Sequence, residues 1–163
     1  MVVVDMQNKF EACSNNYRNI KAKVKALVKT HQNRGDLVVV VEYCDSYDRT
    51  RVSHPTCPDI LNEIVNGNYV KVVKQSDGGG HEVCDALRQN GGLDNLGRIY
   101  ICGVNTCACV KSTAEQLAHH VESGKLKDNV VVLKDGTACY HDNYSNNKPY
   151  QEVCFTGYPV KYL

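Results

Sequence analysis

Five short apolar runs separated by stretches of helical periodicity constrain this chain more than any other feature. "VVVDM" (2–6), "DLVVVVEY" (36–43), "YVKVV" (69–73), "GRIYICGV" (97–104) and "NVVVLKD" (129–135) are rich in β-branched residues. The second contains consecutive valines, a pattern suited to a strand buried on both faces. Between the first two runs, Ile20, Val24, Leu27 and Val28 recur at helical spacing before Gly35. "DILNEIV" (59–65), "HEVCDALRQN" (81–90) and "TCACVKSTAEQLAHHVESG" (106–124) read as further helices, and a last strand is expected near "EVCFTG" (152–157). Strands that alternate with helices predict an α/β three-layer sandwich around a mainly parallel sheet of about six strands. No repeat, low-complexity tract or linker interrupts the pattern, so residues 1–163 are expected to form a single domain.

Composition narrows the functional classes. Lys and Arg total 19 against 18 Asp and Glu, and the positive residues are scattered. Nucleic-acid binding needs a basic stripe or patch, so no nucleic-acid partner is expected. The apolar runs are far too short to span a bilayer, which argues against a membrane partner. "MVVVDMQ" lacks the basic start of a secretory signal. Nine cysteines, an odd number, then fit free thiols in a reducing compartment, and a cytoplasmic location is expected. Neither the spacing Cys102–Cys107–Cys109 nor the lone His81–Cys84 pair follows a common structural zinc pattern, so no metal and no cofactor are expected.

In a parallel α/β sheet, ligands bind where the carboxyl ends of the strands converge. Three reactive residues fall at such ends. Asp5 ends the first run, Lys74 ends the third before a glycine-rich turn expected to be mobile, and Cys109 follows the fourth. A partly desolvated strand-end carboxylate has a raised pKa and suits acid–base work, although a turn or capping role is the plainer reading of an isolated aspartate. Lys74 on its own reads as a solvated strand end. Cys109 falls in the first turn of the following helix, where unpaired N–H groups and the dipole favour a thiolate. Cys102 reads as a buried strand residue and Cys107 as a neighbour on another helical face. Taken singly, each cysteine is more readily structural than catalytic.

"VVVDMQNKF", the strand-ending lysine of "VVKQ", and "ICGVNTCACV" together resemble the isochorismatase-like cysteine hydrolases. The opening motif D-x-Q-x-x-F is met by Asp5, Gln7 and Phe10; the nucleophile motif is met by Gly103, Val104, Thr106, Cys109 and Val110. The resemblance implies an Asp5–Lys74–Cys109 triad acting on a small-molecule amide. It also implies a cis peptide between Val104 and Asn105, with the Asn105 and Cys109 backbone N–H groups forming an oxyanion hole. Gln7, Phe10, Val104 and Tyr47 would then contact substrate, and the chain would assemble as a homo-oligomer, a dimer or tetramer. Members that hydrolyse nicotinamide carry an aspartate and histidines as metal ligands after the second strand. Here that loop has Asp45, Tyr47 and His54, a set that does not suggest metal-assisted chemistry. The stretch after Lys74 also lacks the aromatic residue that walls the pocket in relatives. Two other readings compete with the amidase: isochorismate-type vinyl-ether hydrolysis, for which a thiol is superfluous, and a non-catalytic binding domain on the same fold.

Overall fold

Strands β1 (Val2–Val4), β2 (Val38–Tyr43), β3 (Tyr69–Lys74), β4 (Ile99–Val104), β5 (Val130–Ala138) and β6 (Val160–Tyr162) form one sheet. Its order is β3-β2-β1-β4-β5-β6, and every neighbouring pair is parallel. The computed structural model describes residues 1–12, 16–45, 54–64, 67, 69–91, 96–124, 129–139, 155 and 160–163. Helices α1 (Tyr17–Asn33), α2 (Pro58–Leu61), α3 (Gly80–Gln89) and α4 (Lys111–Glu122) cover the two faces.

The valine run in β2 shows why the pattern is continuous rather than alternating. Val38 and Val40 join Ile20, Val24 and Val28 of α1 in one core cluster. Val39 and Val41 point the other way, into a cluster with Val83 and Leu87 of α3 and Ala114 and Leu117 of α4. Each such side chain contributes about 1.5–3 kcal/mol by leaving water, so a polar residue on either face would loosen one helical layer. This is the expected three-layer α/β sandwich.

Some boundaries differ from those expected. The short helix is Pro58–Leu61 rather than 59–65, with proline in its first turn, where a missing N–H costs no hydrogen bond. The fifth strand runs on to Ala138, because Thr137 and Ala138 pair again with Gly103 and Val104 after a register shift. The last strand is Val160–Tyr162; of 152–157 only Phe155 is described. In this strand Val160 and Tyr162 pack against the core while Lys161 is exposed. Three residues are too few for a period-2 signal to stand out in the sequence.

The chain reverses its strand order between β1 and β4. There Gly103 pairs with Val4 at φ +123°, a conformation that favours glycine. A Cβ at this position would lie 2.0 Å from the Val4 carbonyl oxygen. Backbone strain and overpacking combine, so Gly103→Ala is expected to lower stability by about 3–5 kcal/mol. Urea denaturation checks this, and the midpoint should fall sharply with little change in slope.

Candidate active site

At the end of β1 the Asp5 N–H still donates to the Val41 carbonyl at 2.9 Å. The backbone then turns at φ 51°, a left-handed conformation that aspartate tolerates better than most L residues. Lys74, the last residue of β3, is registered with Tyr43 of β2. β3 and β1 are two strand spacings apart, about 9.5 Å, so only a long side chain crosses the end of β2 to reach β1. The lysine stem does so, and its Nζ sits 2.9 Å from Asp5 Oδ2 with both side chains fully buried. Nζ also donates to the carbonyls of Ser76 at 3.1 Å and Asp77 at 2.7 Å. These acceptors together match the donor capacity of an ammonium group.

The glycine-rich turn after Lys74 is packed rather than mobile. The Gly79 N–H donates to Thr113 Oγ1 at 3.0 Å and the Gly80 N–H to Gln116 Oε1 at 2.8 Å. A Cβ on Gly79 would meet Val41 Cγ1 at 2.7 Å and Lys74 Cδ at 3.1 Å, and one on Gly80 would meet the Thr113 carbonyl at 2.7 Å. Gly80 is there for close approach to α4, and Gly79 for close approach to Val41 and the Lys74 stem. Thr113 and Gln116 thereby hold the turn whose carbonyls hold Lys74. Sequence reasoning missed both, although "GGG" was an available signal of tight packing.

Cys109 comes from the third strand end. It lies in a π-helical turn, Thr106–Val110, that precedes α4, rather than in the first turn of an α-helix. The Ala108 and Val110 N–H groups both donate to the Asn105 carbonyl at 3.1 Å. Single π-turns recur at functional sites because they shift side chains from their α-helical directions. The Val104–Asn105 peptide is cis. The Cys109 thiol interacts with both Asp5 and Lys74. Cys109 keeps 8% of its surface exposed, whereas Cys102 is wholly buried in the α1-side core. Cys107 is half-buried.

The profile of the Isochorismatase domain matches residues 1–148. The chain belongs to the isochorismatase family. No curated protein sequence matches it. Among solved structures, it is similar to the nicotinamidase of Staphylococcus aureus at TM-score 0.70 and 17% identity, covering 99% of this chain and 94% of that one. A pyrazinamidase of Pyrococcus horikoshii in complex with zinc matches at TM-score 0.64 and 20% identity, over 99% and 96% of the two chains. The MAR1 ribonuclease of Caenorhabditis elegans matches at 0.67 and 16%, over 94% and 68%. These likenesses show the shared fold.

Other side chains of this isochorismatase-family site depart from expectation. Gln7 is fully buried and its amide is spent on backbone. Its Nε2 donates to the carbonyls of Tyr43 and His54, and its Oε1 accepts from the Tyr43 N–H at 2.8 Å. It clasps the end of β2 instead of presenting an amide to substrate. Val104 is fully buried in the α1-side core beside Met6, so its side chain does not line a cleft. Tyr47 lies outside the described residues. The Tyr43 ring at the end of β2 lies 5.4 Å from Lys74 Nζ and 6.4 Å from the Phe10 ring. Among the described residues no three His, Cys, Asp or Glu side chains converge as metal ligands. Asp45 and His54 are exposed. His81 pairs with His120 at 3.1 Å, while Cys84 turns into the core.

Electrostatics reverse one expectation. A helix start and a nearby lysine suggested a resting thiolate. Instead, burial pushes the Cys109 thiol up to about 12, the Asp5 charge adds to this, and Lys74 only partly opposes it. Burial also raises Asp5 above the ordinary carboxylate range, with Lys74 pulling it back. At neutral pH the Cys109 thiol therefore keeps its proton. Modification of Cys109 by iodoacetamide, followed by mass spectrometry, should rise with pH along the ionisation of Asp5 rather than of a free thiol. Asp5→Asn should slow it by about 10²-fold. Lys74→Met removes the charge that lowers Asp5, so the acid limb should move to higher pH. An unmoved limb would show that Asp5 is not the base.

Proposed function

We propose that this chain is a cysteine hydrolase that cleaves the C–N bond of a small amide through a thioester on Cys109. The observation that carries the reading is the meeting of three strand ends. A fully buried Asp5–Lys74 ion pair interacts with the thiol of Cys109, a residue that keeps 8% of its surface exposed. Buried charge pairs are poor stabilisers compared with apolar packing, so such a pair beside a nucleophile suggests chemistry.

In the proposed reaction Asp5 takes the Cys109 proton as Sγ attacks the amide carbonyl carbon. The carbonyl oxygen becomes an oxyanion, which accepts hydrogen bonds from the backbone N–H groups of Asn105 and Cys109. Collapse breaks the C–N bond, and the protonated Asp5 returns its proton to the departing amine or ammonia. Asp5 then removes a proton from water as its oxygen attacks the thioester carbonyl. Collapse breaks the C–S bond and releases the carboxylic acid, and Asp5 returns its proton to sulfur to restore the thiol. Lys74 keeps Asp5 ionised between these transfers and balances the thiolate as it forms. The reaction uses Asp5, Lys74, Cys109 and backbone, and no step passes through a metal.

Cys109→Ala should lower ammonia release from a panel of small amides, nicotinamide included, by about 10³-fold or more. Acid quench of the native enzyme with a turned-over amide should trap the acyl group on Cys109. Undiminished turnover in Cys109→Ala would overturn the thioester route and favour acid-only chemistry. A site that turns over no amide and forms no adduct would favour the binding-domain reading.

A further inference from the structure

We propose that Lys9 makes this site selective for small amides that carry a negative charge, with its ammonium as the anchor for a carboxylate on the substrate. The inference rests on the cysteine-hydrolase reading and adds the substrate class. Lys9 sits in the one-turn 3-10 helix Asn8–Phe10 that follows the Asp5 turn, and it is half-buried. Its Nζ donates to the Tyr43 carbonyl at 3.2 Å. It lies 4.6 Å from the Tyr43 ring and 5.2 Å from the Phe10 ring. Lys74 Nζ lies 5.4 Å from the same Tyr43 ring, so one aromatic side chain serves two ammonium groups.

Those two cations are not equivalent. Lys74 is fully buried, and its donors are taken by Asp5, Ser76 and Asp77. The single charge of Asp5 is matched by that contact. Lys9 forms no ion pair with a carboxylate among the described residues, and its one hydrogen bond, to Tyr43, leaves donors over. With the thiol protonated, this group of side chains therefore carries one positive charge in excess. The Lys9 charge is felt at Asp5, the carboxylate paired with Lys74. Cation–π contact with Tyr43 and Phe10 holds the ammonium in place at low cost in hydration. The rings themselves offer an apolar wall for the body of a small acid. A substrate with an amide at one end and a carboxylate at the other satisfies the thiol, the wall and the spare cation together.

Paired alkylating agents test this without knowing the substrate. Iodoacetate and iodoacetamide differ by a charge, and both alkylate Cys109. The ratio of their rates, measured at low ionic strength and normalised to N-acetylcysteinamide, cancels any change in thiol ionisation. The native protein should prefer iodoacetate by about threefold to tenfold over the reference thiol. Lys9→Met should abolish that preference, Lys9→Glu should invert it, and Lys9→Arg should retain it. An unchanged ratio in Lys9→Met and Lys9→Glu would overturn the proposal. If Asp5→Asn leaves both rates unaltered while the ratio still follows Lys9, the hydrolase reading fails and the anion preference stands. A Cys109 inert to both reagents would overturn the two together.

Discussion

The ion pair between Asp5 and Lys74 is the contact around which this molecule is arranged. Taking both charges out of water carries a penalty of several kcal/mol per ion, and losing either partner typically costs about 3–5 kcal/mol. Such a pair survives only when geometry is good and the remaining donors are met. Here the Ser76 and Asp77 carbonyls complete the lysine, and the Gly79 and Gly80 N–H groups lock that turn onto Thr113 and Gln116 of α4. One helix and one glycine-rich turn thus exist in their present form to keep a cation in place. The valine layers beneath hold the strand ends that carry both partners.

The same burial that makes the pair expensive sets the chemistry. It raises Asp5 and Cys109 together, because desolvation disfavours the charged form of each. Lys74 favours the charged form of both. A buried thiol that keeps its proton is less prone to stray oxidation or alkylation than a free thiolate.

Legibility of the site in the sequence followed the range of the interactions. Asp5 and Cys109 lie in short motifs, and Lys74 could be found by asking which charged residue ends a strand. Thr113, Gln116, Tyr43 and Lys9 were missed because they approach Lys74 or Asp5 only through strand order and helix docking. Tyr43 is the clearest example. The stretch just after Lys74 lacks the aromatic residue of relatives, yet the Tyr43 ring on the neighbouring strand lies 5.4 Å from Lys74 Nζ. Gln7 and Val104 show the reverse error. Both belong to motifs, but burial turns one into a backbone clasp and the other into core.

The sequence alone determined the layers, since a valine run buried on both faces and helices of regular period admit few other arrangements. It also determined which residues could react, because strand-end position and side-chain chemistry are local properties. Tertiary structure decided which of them meet. Placing β2 between β1 and β3 is what obliges Lys74 to reach across Tyr43, and that reach brings a second cation, Lys9, onto the same ring. Tertiary structure also decided the state of the thiol. A helix start read from the sequence favours the anion, but desolvation depends on everything packed around Cys109, and in this fold desolvation wins.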